Sequence, residues 1–215
     1  MNQINKNKTS GKIYIGSMNM RGSWAPRPDN TKLINVTSMQ GKNSEFRKDF
    51  SPMSPVEGKY KGYYCFENYW QAGKVFENMD RNKYIDWWKN QTKGKRRYPN
   101  SKGKKILHGR YKNKKNIYEN YDYINSRKNI YVPYYYNLMK KTKSFKKCHE
   151  VVKNGQDVIV YDFDGPRTAD GNPTYLLVTK KMLKEKINDP SFPFGHGYIV
   201  AASLANIKPK DYTNE

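Results

Sequence analysis

FENYWQAGKVF, residues 66–76, carries two stripes where an amphipathic helix needs one. Phe66, Tyr69, Trp70, Gly73 and Phe76 recur at helical spacing and make a face wide enough to enter a core. Glu67, Gln71, Lys74 and Asn78 form a polar stripe beside it. The spacing predicts a helix through the whole segment. It leaves open whether the polar stripe is a solvated side or the wall of a site.

Outward from this helix, KIYIGSM (12–18) and KLINVTSM (32–39) alternate as short strands around a Pro- and Gly-rich loop. KDFSPMSPVEGKYKG (48–62) reads as a loop from its prolines and glycines, and RNKYIDWWKN (81–90) as a helix with Tyr84, Trp87 and Trp88 inward. Residues 130–155 read as one or two helices stopping at Gly155. QDVIVYDFDG (156–165) is the strongest strand, an apolar run that has to be largely buried. A strand leading into a helix follows over 175–189, then a glycine-flanked turn feeding an apolar helix from Tyr198 to Ile207. The expected architecture is a single α+β domain over 12–210, mainly helical with a few short strands, behind a flexible basic tail over 1–11.

The formal net charge is +22, with 41 Lys and Arg against 19 Asp and Glu. Lysine dominates, and with abundant Asn, Tyr and Ile this matches the codon drift of an AT-rich genome. Drift does not account for the scarcity of acids, so a polyanionic partner is expected. Residues 89–115 hold twelve Lys and Arg and no Asp or Glu. That run is either a solvated face or a phosphate-tracking surface with Tyr98, His108 and Tyr111 interleaved for base stacking. Mean hydropathy is −1.05, yet 14% aromatic residues supply enough burial for a folded chain. Two cysteines without metal or redox spacing suit a reducing, intracellular (cytoplasmic) setting, and no apolar run is long enough to span a membrane. No cofactor or metal is expected.

VIVYDFDGP resembles the nucleophile motif of haloacid-dehalogenase-type phosphatases, where two Asp two residues apart sit at a strand end. Pro166 stands where that family prefers Thr, and only 51 residues follow Asp164, too few for the rest of such a sheet. A buried strand whose acidic end meets a turn is preferred. His196, between Gly195 and Gly197 just before a helix, is a candidate for meeting a ligand phosphate.

INVTSM, DFSPM and YYCFENYWQAGKVF together resemble the opening of the NADAR family: a strand, an F-S-N-F-like loop and a helix carrying E-x-x-x-Q-A-x-K. Asp49 to Met53 stand for the loop, and Glu67, Gln71, Ala72 and Lys74 fall into the helix register. Asn68 replaces the usual His, and residues 158–173 read as an insertion or the mark of a divergent branch. The resemblance implies an N-glycosidase acting on a ribose–nitrogen bond in a phosphorylated nucleoside-like or ADP-ribosylated guanine nucleic-acid substrate. It assigns the catalytic acids to Glu67 and Asp189, with Asp162 or Asp164 as alternatives to the latter. Ser51, Gln71, Lys74, Arg96, Arg97 and His196 would contact substrate, and Trp88 would stack on the base. The rival function is a non-enzymatic, basic nucleic-acid-binding protein, as a virus or phage uses in packaging. Both take nucleic acid or a phosphorylated nucleotide as partner.

Overall fold

The computed structural model describes residues 10–41, 43–113 and 115–214. In chain order the elements are β1 (Ile13–Ser17), β2 (Lys32–Asn35), α1 (Glu45–Phe50), β3 (Pro55–Tyr60), β4 (Tyr63–Cys65), α2 (Phe66–Ala72), β5 (Lys74–Phe76) and α3 (Arg81–Lys89). Then come β6 (Ile106–Lys112), β7 (Tyr118–Tyr121), α4 (Tyr123–Ser126), α5 (Val132–Met139), α6 (Lys143–Lys153), β8 (Val158–Asp162), β9 (Tyr175–Leu177), α7 (Lys180–Asn188), α8 (His196–Leu204) and α9 (Lys210–Thr213). The class is α+β: helix takes 38% and strand 21% of the chain, so helices outweigh the sheets without displacing them.

β8 organises the main sheet, whose strand order is β2-β8-β1-β9. β1 and β2 run parallel to it on either side, with Ile13 and Lys32 both opposite Val158, and β9 closes the far edge antiparallel to β1. Every residue of β8 is buried, which is why its sequence is a continuous apolar run and not an alternation. The strand read over 156–165 is this central strand, confined to Val158–Asp162. α8, buried at each of its positions, packs across β1 and β8 and is backed by α5 and α6. One hydrophobic cluster draws in residues from Ile13 to Tyr212.

Two smaller sheets hold the segment around α2. The stretch 48–62, expected as a loop, instead ends α1 and forms the β3–β4 hairpin; its turn passes through left-handed Lys61 and Gly62, at φ 50° and 87°. α2 is shorter than its hydrophobic period predicts. It stops at Ala72, and the chain turns at Gly73 into β5, which pairs with β6 in the order β5-β6-β7. A Cβ on Gly73 would lie 1.9 Å from the Tyr111 ring, so the close approach of helix end and sheet needs glycine there. Gly155, at φ 88°, follows α6 as expected of a helix stop.

Of the expected tail, residues 1–9 lie outside the described residues. Gly11 and Lys12 are anchored: the Gly11 N–H donates to the Val152 carbonyl at 2.9 Å and the Lys12 N–H to Asp157 at 2.7 Å. Among the described residues no helix is long and apolar enough to cross a membrane.

Arg127 fastens the α7–α8 connection to the rest. It opens the wide π-turn Arg127–Tyr131 ahead of Pro133 and is 2% exposed. Its guanidinium donates to the carbonyls of Asp189 at 2.7 Å, Ile187 at 3.4 Å and Phe192, and stacks on Tyr123 at 3.9 Å. Arg127→Met keeps much of the volume but strands these carbonyls. It is expected to cost about 3 kcal/mol of unfolding free energy in urea titrations; a loss below about 1 kcal/mol would show that this clamp matters little.

Candidate active site

A cleft of about 260 Å³ opens at the carboxyl ends of the parallel strands β2 and β8, beside the N-terminus of α8. Open α/β sheets place ligands at such strand ends. Thr37 and Ser38 follow β2 into it, Asp162, Phe163 and Asp164 follow β8, and Glu67 and Gln71 reach it from α2. Arg96, Tyr131, His196 and the Ser51–Met53 turn complete the wall.

Asp162 is the fixed point. It is 1% exposed, and its Oδ2 accepts the Gly197 N–H at 2.8 Å while lying 3.2 Å from His196 Nδ1. His196 Nε2 lies 2.9 Å from the Val36 carbonyl. Both ring nitrogens thus face acceptors, the Asp162 carboxylate on one side and the Val36 carbonyl on the other. The flanking glycines are steric necessities: a Cβ on Gly195 would lie 2.6 Å from Asp162 Oδ2, and one on Gly197 2.5 Å from Asp162 Cβ. These contacts use His196 to build the wall; the residue is buried, and it lines the cleft.

Glu67 is held at its backbone and at its carboxyl. Its N–H donates to the Pro52 carbonyl at 2.8 Å, and Gln71 Nε2 donates to its Oε1 at 2.7 Å. Burial pushes its carboxyl above the ordinary value, opposed by the Gln71 donor and by the charges of Lys74, His196 and Arg96. Asn68 next to it is fully buried and brackets the approach to Arg96: its Nδ2 donates to the Lys93 carbonyl at 3.1 Å and its Oδ1 accepts the Lys95 N–H at 2.9 Å.

Asp164 sits at the mouth, where solvent reaches it, yet the cleft walls crowd its carboxyl. Desolvation first, then the like charge of Asp162, raise it to about 6. The charge of Glu67 adds to that rise, and that of His196 opposes it. Phe163 is 36% exposed, with the Arg96 guanidinium 5.6 Å from its ring centre. Tyr131, on the π-turn, remains a neutral phenol because burial and the nearby carboxylates push it well above 10.

Of the residues singled out in the sequence, the cleft gathers Ser51, Glu67, Gln71, Arg96 and His196. Others lie elsewhere. Asp189 ends α7; its Oδ1 accepts the Ser191 N–H at 2.8 Å and its carbonyl serves Arg127, and it does not line the cleft, whereas the alternatives Asp162 and Asp164 do. Trp88 is 0% exposed between Tyr84 and Trp87 and offers no face to a base. Lys74 starts β5 and lines a neighbouring cavity with Trp70 and His108. Arg97 is exposed and is not among the residues lining this cleft. Tyr98 packs on Tyr84 and Trp87, and Tyr111 is buried with its hydroxyl on the Trp70 carbonyl, so neither serves the proposed base-stacking run. The sequence reading missed Phe163 and Tyr131. An exposed aromatic between two acids at a strand end was the available signal for Phe163; nothing in the local pattern marks Tyr131.

The chain matches no known family model, no curated protein and no solved structure. Among the described residues, no group of three or more His, Cys, Asp or Glu has the arrangement to hold a metal ion.

Because Asp164 rises from its ordinary 3.8 to about 6 on folding, the folded state holds that proton more tightly. Its contribution therefore weakens stability as pH rises from near 4 through 6. Asp164→Asn removes the effect. The unfolding free energy of the variant in urea titrations should exceed that of the wild type at pH 7.5, by an amount on the order of 1 kcal/mol given the solvent access, and the gain should vanish by pH 4. An equal gain at both values would mean that the carboxyl is not perturbed.

Proposed function

We propose that this protein is a NADAR-like N-glycosidase that hydrolyses a ribose–nitrogen bond in a nucleotide-like or ADP-ribosylated guanine substrate. The observation that carries the reading is the meeting of Glu67 and Asp164 in one cleft, both with carboxyls raised by their surroundings. A pair of carboxyls in unequal environments divides the labour that glycosidic cleavage needs.

In this reading Asp164, titrating at about 6, holds the proton that the leaving nitrogen requires. The bond between the anomeric carbon and nitrogen breaks, its electron pair goes to nitrogen, and Asp164 supplies the proton. The oxocarbenium-like sugar faces Glu67; burial raises its carboxyl, and the Gln71 donor and the charges of Lys74, His196 and Arg96 oppose that rise and support the carboxylate. Water then adds to the anomeric carbon and returns a proton to Asp164. The products are a free ribose hydroxyl and a protonated amine or base nitrogen. Arg96 at the rim suits a phosphate, and Phe163 beside it offers a ring on which a base can lie. Two free, buried cysteines fit a reducing intracellular setting for such an enzyme.

A phosphatase centred on Asp162 is the weaker reading. Asp162 Oδ2 is tied to the Gly197 N–H and lies beside His196 Nδ1, which builds the carboxylate into the wall, and Pro166 stands where haloacid-dehalogenase-type phosphatases prefer Thr.

Incubation with an ADP-ribosylated guanine oligonucleotide tests the proposal. Wild type should release ADP-ribose, Glu67→Gln should lower the rate by about 10²- to 10⁴-fold, and the rate should fall as pH climbs above 6 and Asp164 loses its proton. Equal release by wild type and Glu67→Gln would sink the role given to Glu67.

A further inference from the structure

α2 has a second side. Across the helix from Glu67, Tyr69 and Ala72 line another cleft, of about 390 Å³, with Lys61, Arg81, Lys89, Arg110 and Lys112 around it. No Asp or Glu lines this cleft, and among the described residues none of the five cations forms an ion pair. Five unneutralised positive charges around one concavity repel one another unless an anion enters. The crowding registers in the groups themselves: burial and then Lys112 push Lys61 down, and burial lowers Arg81 as well, with Arg110 adding to it.

Two further observations give the anion a character. Tyr118 at the rim is 58% exposed, with the Arg110 guanidinium 5.6 Å and the Lys112 ammonium 5.3 Å from its ring centre. A largely exposed aromatic ring with two cations over it joins stacking surface to positive charge, the pairing that holds an unstacked base together with its phosphates. Tyr69, only 9% exposed, carries a buried hydroxyl without a hydrogen-bond partner. Such an orphaned group calls for an incoming partner.

We propose that this cleft binds single-stranded nucleic acid, with backbone phosphates on Arg110 and Lys112 and a base against Tyr118. The site is separate from the Glu67 cleft, and its existence does not rest on hydrolysis. Strong net charge alone would hold a strand diffusely; the cleft fixes where it lies, on the β6–β7 side of α2.

Fluorescence anisotropy of a labelled oligothymidylate of 20 nucleotides, titrated with the full chain across a series of salt concentrations, tests the site. Arg110→Glu with Lys112→Glu should weaken binding at least tenfold and flatten the slope of log affinity against log salt by about 1.4, two phosphate contacts at roughly 0.7 each. Tyr118→Ala should weaken binding about fivefold or more. Lys181→Glu with Lys184→Glu, the same charge change on exposed positions of α7, should cost much less. Circular dichroism checks each variant; if the double reversal does not fold, Arg110→Gln and Tyr118→Ala carry the test. An equal loss in the α7 pair would show diffuse attraction and overturn the site. So would polyglutamate competing as well as unlabelled oligothymidylate, or an unchanged affinity in Tyr118→Ala. The experiment uses unmodified strands and reads binding alone, so its failure leaves the glycosidase reading standing, and the reverse holds too.

Discussion

A carboxylate at the buried end of the central strand has to be paired, and the way Asp162 is paired sets the geometry around it. Asp162 is 1% exposed and meets the Gly197 N–H at 2.8 Å and His196 Nδ1 at 3.2 Å. Leaving a buried carboxylate unmet would cost several kcal/mol. The contact therefore locks the N-terminus of α8 to the C-terminus of β8. His196 extends the lock to Val36, just past β2, through its other nitrogen. Three segments distant in the chain are drawn to one point, and the cleft is the space left beside it.

From that point the neighbouring parts follow. Glycine at 165 is required because a Cβ there would lie 2.4 Å from the Gly16 carbonyl, so the chain can turn tightly off β8 and hold Phe163 and Asp164 at the cleft mouth. On the opposite wall α2 is tied by Pro52, Tyr84 and Tyr111, whose groups meet the Glu67 N–H and the carbonyls of Gln71 and Trp70. A helix so constrained cannot rotate its polar stripe away. Its two stripes serve separate surroundings: Glu67 and Gln71 face the acidic cleft, while Tyr69 and Ala72 border the basic one.

Much of this was legible in the sequence, and the misses have physical causes. The apolar run 158–162 announces burial on both faces, and β8 is indeed flanked on both sides. Glu67, Gln71 and His196 could be nominated from local pattern because helix spacing and glycine flanks are local properties. The length of α2 could not be read, since its end depends on the fit of Gly73 against Tyr111, a residue 38 positions away. Asp189 and Trp88 were nominated by resemblance to a family pattern; the first is consumed by a helix end and the second by the aromatic core. Asp162 and Asp164 were underweighted because the downstream length excluded one fold, and that exclusion said nothing of the strand's place in another.

The proposed hydrolysis requires a ribosyl group to lie between Glu67 and Asp164. The most direct measurement is a crystal structure of Glu67→Gln soaked with ADP-ribose. The prediction is density in the cleft at the ends of β2 and β8, with the anomeric carbon between residues 67 and 164 and a phosphate at Arg96. Ligand bound elsewhere with that cleft left vacant would contradict it.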